Sequence, residues 1–187
     1  FNNRAAVVSD NVRGMEELVR YVYAKGHRRI AFIHGEQTAV TENRLTGFYR
    51  ACDALELEIP DAYIREGVYH DPDRCAELTR ELLRLPEPPT CILMPDDFSS
   101  IGGRNAIHRM DLRLPEDISV AGYDGIQIAS VMSPALTTYR QDTQALGRTA
   151  AAKLIELIEK PRTALVDRVL IPGHLVEGAS VRAIETL

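Results

Sequence analysis

The stretch SVAGYDG, residues 119–125, joins an apolar run to a polar end. Its first three residues have the composition of a buried strand, whereas its end carries a tyrosine and one carboxylate, Asp124. Gly122 and Gly125 flank that pair, and glycine allows a sharp turn or the close approach of another group. The stretch therefore predicts a core strand that ends by presenting an acid at the edge of a sheet.

Strand and helix signals alternate through the first two thirds of the chain. Short apolar runs occupy residues 5–8, 29–33, 90–94 and 118–121, with a weaker one at 63–64. Helical periodicity separates them, and Asp71 followed by Pro72 is a typical helix start. Continuous apolar strands that alternate with helices are typical of a parallel sheet covered on both faces. The sequence thus predicts an α/β fold with a parallel sheet flanked by helices.

The last third has a different pattern. Residues 133–138 have an extended composition, and Asp142 is a candidate N-cap of the helix that follows. We expect the apolar positions of that helix to point inward; they are Leu146, Ala150, Leu154, Leu157 and Ile158. Residues 166–175 are predicted to be extended, with an interruption at Pro172 and Gly173.

Polar side chains follow each of the predicted strands. They fall at residues 9–10, 34–44, 95–97 and 122–124. Ligands of parallel α/β sheets bind outside the carboxyl ends of the strands. We therefore expect acids and one arginine, Arg44, to converge on a single binding edge.

Composition argues against several classes of function. The 187 residues carry 27 acidic and 22 basic side chains, a formal charge of -5, so the chain lacks the basic footprint of a nucleic-acid-binding surface. Its apolar runs fall well short of the roughly 20 residues of a membrane span. The first residues lack the basic and apolar regions of a signal peptide. We expect no contact with a membrane.

The cysteines and histidines do not suggest a metal or cofactor site. Cys52, Cys75 and Cys91 have apolar neighbours and no paired spacing, which favours small buried side chains in a reducing, cytoplasmic setting. The five histidines are scattered without the spacing of metal ligands. We expect neither a metal nor a cofactor.

Five segments together resemble the lac/gal repressor family of bacterial transcription regulators. They are AKGHRRIAFIHG (24–35), NRLTGFYRA (43–51), PDD (95–97), LRLPEDISVAGYD (112–124) and SPALTTYRQD (133–142). The resemblance extends from about residue 7 to residue 181 and depends on the order and spacing of all five. It implies an effector-binding domain of the periplasmic-binding-protein-like type I, with two α/β lobes. A small effector, a carbohydrate in many members and a nucleobase in some, would lie in the cleft between them.

The resemblance also implies how the chain is divided. Residues 11–139 would form the C-terminal lobe, residues 1–10 and 140–163 would belong to the N-terminal lobe, and residues 164–187 would return to the C-terminal lobe. The family's helix-turn-helix headpiece and most of its first lobe have no counterpart in the sequence. Operator DNA would then be contacted only through a headpiece outside this chain, in a cytoplasmic homodimer.

Two positions depart from the family pattern. Gly125 stands where a second Asp or Asn usually follows Asp124, and Gly178 stands where an arginine is common. The first difference is expected to change the polarity of the ligand, and the second to weaken a structural ion pair.

Arg44 and Asp124 are the principal candidates for ligand contact. A guanidinium can donate paired hydrogen bonds to neighbouring hydroxyls or to a carboxylate, and an ionised carboxylate can accept two hydroxyl protons. Together they would offer a polyol both donors and acceptors. The alternatives are a solvated surface arginine for Arg44 and a turn-forming residue for Asp124.

Five further residues are weaker candidates. Asp10 is expected either to contact ligand or to cap the helix after it, and Gln141 matches a family position between the lobes. Of the neighbouring pair, Asp96 is assigned to the ligand and Asp97 to the start of the next helix. Thr38 lies in the loop expected to set selectivity. Leu93 would form an apolar wall of the site or would pack in the core.

A periplasmic sugar-binding protein and an enzyme are the two other functions to be weighed against a regulator. A periplasmic sugar-binding protein of similar fold remains the alternative, and a signal peptide upstream would favour it. An enzyme would have to use Asp96, Asp97 and Asp124 as a carboxylate set. The sequence has no nucleophile elbow, phosphate-binding loop or dinucleotide fingerprint after any predicted strand, so we expect no catalysis.

Overall fold

A computed structural model describes residues 5–161 and 167–184 of the chain. The strands are β1 (Ala6–Ser9), β2 (Ile30–His34), β3 (Ile64–Glu66), β4 (Cys91–Leu93), β5 (Ser119–Asp124), β6 (Thr137–Arg140), β7 (Arg168–Ile171) and β8 (His174–Val176). The α-helices are α1 (Asn11–Ala24), α2 (Ala39–Ala54), α3 (Pro72–Leu83), α4 (Ser100–Arg109), α5 (Gln127–Val131) and α6 (Thr143–Glu159). A 3₁₀ turn, Asp61–Tyr63, precedes β3.

Most strands belong to one six-stranded sheet with the order β3-β2-β4-β5-β6-β8. The first five strands are parallel, and β8 runs antiparallel to β6 at the edge. Parallel strands need crossover connections, and α2, α3 and α4 lie on the connections among β2, β3, β4 and β5. The predicted α/β fold with a parallel sheet flanked by helices is confirmed.

Two hydrophobic cores cover the two faces of this sheet. Because successive side chains of a strand point to opposite faces, Phe32 of β2 packs with α1 and α2, while Ala31 and Ile33 pack with α3 and α4. All three cysteines are free and buried in these cores, where burial raises the pKa of the Cys52 thiol to about 12. They act as small apolar side chains.

The remaining strands, β1 and β7, form a separate two-stranded parallel sheet against which α6 packs. No residue of α6 is buried, and Leu154 and Ile158 are 59% and 69% exposed. The expectation that these two side chains point into a core is wrong for the described residues, because the two-stranded sheet is too small to cover the helix. Asp142 does cap α6, since its Oδ1 accepts the Ala145 N–H at 2.8 Å.

The segment after α6 is divided between the two sheets. β7 pairs with β1, and the chain then reaches the large sheet through Pro172 and Gly173 to form β8. Of the predicted 164–187 segment, residues 164–166 and 185–187 lie outside the described residues. None of the described helices is long and apolar enough to cross a membrane.

Candidate functional site

Arg44 on α2 lies at the centre of a buried polar cluster at the carboxyl ends of the large sheet's strands. Its Nε donates to Asn11 Oδ1 at 3.0 Å, its Nη1 to the Pro95 carbonyl at 2.8 Å, and its Nη2 to Asp124 Oδ1 at 3.1 Å. The guanidinium also stacks on Tyr123, 3.7 Å from the ring centroid. Arg44 therefore connects α1, the turn after β4 and the end of β5.

Asp124 ends β5 and is held by two donors on the same oxygen. Besides Arg44, the Gln141 side-chain amide donates to Asp124 Oδ1 at 2.6 Å. The side chain keeps 20% of its surface exposed, and among the described residues no donor is assigned to Oδ2. Burial raises the pKa of Asp124, opposed by the charge of Arg44 and by the Gln141 hydrogen bond. The carboxylate thus has an accessible acceptor oxygen whose position is fixed.

Gln141 extends the cluster to the small sheet. Its Oε1 accepts the hydroxyl proton of Ser9, at the end of β1. Asn11 completes a closed circuit of hydrogen bonds through Arg44, Asp124, Gln141 and Ser9. Its Nδ2 donates to the Ser9 carbonyl at 3.3 Å, and its Oδ1 accepts from Arg44. The cluster consequently joins both sheets at the segments where the chain passes between them.

Asp10 and Thr38 both cap helices. Asp10 Oδ1 accepts the Arg13 N–H of α1 at 3.2 Å, and Thr38 Oγ1 accepts the Thr41 N–H of α2, also at 3.2 Å. Asp10 in addition borders a cavity of about 250 Å³ beside the cluster. Its lining comprises Ser9, Asp10, Asn11, Val12, Asn43, Arg168 and Leu170.

The structure gives Asp96 and Asp97 other positions than those assigned from the sequence. Asp96, and not Asp97, holds the start of α4: its Oδ1 accepts the Ser99 N–H at 2.7 Å, and its Oδ2 accepts the Ser99 hydroxyl and the His70 N–H. Both oxygens are committed and the residue is 1% exposed, so the contacts favour a structural role over ligand contact. Asp97 instead turns inward beneath β5.

Leu93 lies in the core and not on a ligand wall. It is fully buried in β4 and belongs to the cluster packed under α1 and α2. Of the two roles considered, the geometry supports core packing.

Tyr69, after β3, was missed in the sequence. Its hydroxyl lies 2.9 Å from Thr41 Oγ1, and its ring centroid lies 5.4 Å from the Arg44 guanidinium carbon. The ring covers Gly35, where an added Cβ would lie 2.3 Å from it. The available signal was an aromatic residue directly after a short strand, at the same edge as the other candidates. Tyr69 gives the cluster an apolar, partly buried side.

A second cavity borders the exposed side of Asp124 and has a volume of about 410 Å³. Most of its lining residues carry polar side chains, and the lining comprises Asp124, Gly125, Ile126, Arg140, Gln141, Asp142, Thr143, Gln144 and His174. Carboxylate, amide and hydroxyl groups in one cavity provide both donors and acceptors for a hydroxylated molecule. Within residues 5–161 and 167–184, no group of three His, Cys, Asp or Glu side chains has a metal-binding arrangement.

Comparison with known proteins identifies the family. The model of the periplasmic binding protein-like domain matches residues 19–181. The chain is 32% identical over 181 residues to the probable HTH-type transcriptional repressor ExuR of Bacillus subtilis (strain 168), covering 96% of this chain and 54% of that protein. It is also 32% identical over 182 residues to the HTH-type transcriptional repressor PurR of Escherichia coli O139:H28, covering 95% and 53%.

Solved structures agree with the sequence relatives. The transcriptional regulator CelR in complex with cellobiose superposes with a TM-score of 0.88 at 29% identity, over 95% of this chain and 54% of that one. The putative transcriptional regulator LacI from Bacillus cereus subsp. cytotoxis NVH 391-98 has a TM-score of 0.91 at 26% identity, over 99% and 66%. The chain spans about half the length of the curated relatives it matches. It belongs to the periplasmic binding protein-like domain family, in the group formed by the LacI-type transcriptional regulators.

Proposed function

We propose that this chain is the effector-binding part of a bacterial LacI-type regulator and that its effector is a carbohydrate bound at the Arg44–Asp124 cluster. The observation that carries the proposal is the position of this cluster: a buried guanidinium, a partly exposed carboxylate and an amide meet at the carboxyl ends of the strands, between the two sheets. The cellobiose complex of a structural neighbour supports this class of ligand.

Asp124 would make the direct contact. Its exposed oxygen accepts a sugar hydroxyl, and the neighbouring Gln141 amide offers both a donor and an acceptor. Arg44 is only 4% exposed and donates to Asn11, Pro95 and Asp124, so it would act by holding the Asp124 carboxylate in place for the ligand. Tyr69 supplies the apolar surface that a sugar ring needs beside its polar partners.

Effector binding would be transmitted through Gln141. This side chain bonds Asp124 of the large sheet and Ser9 of the small one, so a ligand that competes for Asp124 changes the bond between the sheets. A ligand shifts the balance between two arrangements only by its different affinity for each. We infer that the whole regulator works in the cytoplasm as a homodimer, without catalysis, and contacts operator DNA through a headpiece outside this chain.

The test is a thermal-shift and calorimetric screen of neutral mono- and disaccharides and uronic acids. We expect one of these classes to raise the melting temperature without turnover of the compound. Asp124→Ala should abolish this binding, with circular dichroism to show that the variant still folds although Arg44 loses a buried partner. Asp53→Asn, a change of an exposed carboxylate on α2, should leave binding unchanged. Binding that survives Asp124→Ala would place the ligand elsewhere, and turnover of a sugar would overturn the assignment as a binding protein.

A further inference from the structure

Asp97 is a fully buried carboxylate directly behind the loop that carries Asp124. Its Oδ1 accepts the hydroxyl proton of Thr138 in β6 at 2.6 Å, and its Oδ2 accepts the backbone N–H of Ile126 at 2.9 Å. Its own N–H donates to the Tyr123 carbonyl at 2.9 Å. Asp97 therefore connects the turn after β4 to both sides of the Asp124 loop.

Gly122 leaves the space through which the Asp97 carboxylate reaches Thr138. A Cβ at that position would lie 2.3 Å from Asp97 Oδ1, so any side chain there would displace the carboxylate. The glycine before Asp124 thus makes room for another residue's carboxylate, which crosses β5 to reach β6.

The loop that Asp97 holds has an unfavourable backbone. Asp124 has φ +104° and Gly125 has φ +69°, and a non-glycine residue in such a conformation costs about 1–3 kcal/mol unless its surroundings impose it. Three contacts impose it here: Asp97 on the Ile126 N–H, the Arg140 Nε on the Gly125 carbonyl, and the Gln141 N–H on the Asp124 carbonyl.

Asp97 is the most shielded of these three supports. Arg140 and Gln141 are only partly buried and border the cavity next to Asp124, so a ligand that enters there can disturb them. Asp97 is 0% exposed and lies outside the set of cavity-lining residues. A ligand in the cavity therefore has no direct contact with the Asp97 carboxylate itself.

We propose that Asp97 is a positioning residue, which holds the 124–126 loop so that the Asp124 carboxylate faces the binding cavity before any effector arrives. A site whose polar groups are already in place avoids the ordering cost of binding. The benefit to affinity rests on the proposed function, whereas the positioning itself is a property of the free protein and is tested without ligand.

The neighbouring Asp96 provides a matched control. It is equally buried and accepts comparable hydrogen bonds, but from Ser99 and His70 at the start of α4. A change there should lower stability without moving the Asp124 loop.

The experiment compares NMR spectra of the ligand-free protein and its variants at pH values above the pKa of Asp97, which burial raises to about 7. The reporters are the side-chain amide of Gln141 and the carboxyl carbon of Asp124, which bond each other at 2.6 Å. In Asp97→Ala both resonances should shift or broaden. In Asp97→Asn they should return close to their wild-type positions, because the new amide can accept from Ile126 and donate to Thr138. In Asp96→Asn both should move by much less than in Asp97→Ala, because Asp96 acts on Asp124 through its charge alone.

A folded Asp97→Ala protein with both reporters unmoved would overturn the proposal, as would an equal displacement in Asp96→Asn. If Asp97→Ala does not fold, Thr138→Val removes a single bond to Asp97 at nearly constant volume. It should move the same two resonances in the same direction by a smaller amount, and unmoved resonances there would count equally against the proposal. A sugar screen without a hit would refute the proposed ligand class and leave these spectra unaffected.

Discussion

Replacement of Arg44 by methionine removes the donor at the centre of the buried cluster. Met has a similar length and fits an apolar setting, but it leaves Asn11 Oδ1, the Pro95 carbonyl and Asp124 Oδ1 without their guanidinium donors. The loss of one partner from a buried ion pair costs about 3–5 kcal/mol. Because Asp124 keeps access to water, we expect a loss of about 3 kcal/mol in the free energy of unfolding at neutral pH.

The pH dependence of this loss identifies its cause. Burial already raises the pKa of Asp124 in the folded state, and the charge of Arg44 opposes that rise. Without Arg44 the folded-state pKa rises further, so stability falls more steeply as the pH increases above the ordinary aspartate value of about 3.9. Below that value Asp124 is protonated in both states, and the loss should shrink to the roughly 1–2 kcal/mol of the neutral hydrogen bonds.

The assay is chemical unfolding of wild type and Arg44→Met at neutral pH and at about pH 4, near the ordinary pKa of aspartate. Other titrating groups change both proteins alike and cancel in the difference. Arg13→Met is the control, because Arg13 pairs with Glu17 on the exposed face of α1 and its loss should barely change the free energy of unfolding. An Arg44→Met loss that is the same at both pH values, or no larger than that of Arg13→Met, would refute the reasoning.

Three further predictions concern a glycine, a buried histidine and the apolar face of α6. Gly125→Ala should lower the free energy of unfolding by about 1–3 kcal/mol, because the position has φ +69° and an added Cβ would lie 2.3 Å from the Arg140 Cβ. An unchanged melting temperature would contradict this. Burial lowers the pKa of His27 to about 4, so its neutral form is favoured in the folded state and stability should fall by about 3 kcal/mol as the pH drops from about 6.5 to about 4. In His27→Gln the free energy of unfolding should depend less on pH over this range. A pH dependence identical to that of wild type would count against a buried neutral His27. The exposed Leu154 and Ile158 should make the chain self-associate, and light scattering should show less association in L154Q/I158K; a monodisperse wild-type monomer would disprove this.

The fold was predictable where the sequence pattern is local. The continuous apolar runs identify β4 and β5, and Asp71 and Asp142 mark the starts of α3 and α6 because an N-cap needs only its own helix's N–H groups. The pairing of β7 with β1 was not predictable in this way, since it joins residues more than 150 positions apart in the sequence and depends on the path of everything between them. The short helix α5 has too few residues for a periodic signal.

The candidate site was likewise predictable only in part. Parallel-sheet geometry predicts that Arg44 and Asp124 lie at one edge, and the structure places them in direct contact at 3.1 Å. Ligand contact by these residues stays a prediction. Asp96 takes the helix-start position predicted for Asp97, and Asp97 is buried beneath β5, because a one-residue difference in where the backbone turns after β4 decides which carboxylate meets Ser99 and which passes beneath Gly122.

The passage of the chain between its two sheets has a mechanical consequence. Within the part of the chain that the structure describes it crosses three times, at Asp10, at Gln141 and at Pro172–Gly173. The crossings lie side by side: Ser9 bonds Gln141, and the Gly173 N–H donates to the Tyr139 hydroxyl at 3.0 Å. Three adjacent chain connections oppose sliding and twisting of one sheet relative to the other. They leave bending about the line through the three connections as the least hindered motion. The Ser9–Gln141 bond lies among these crossings, so bending of one sheet relative to the other would displace this bond least and the far ends of the two sheets most.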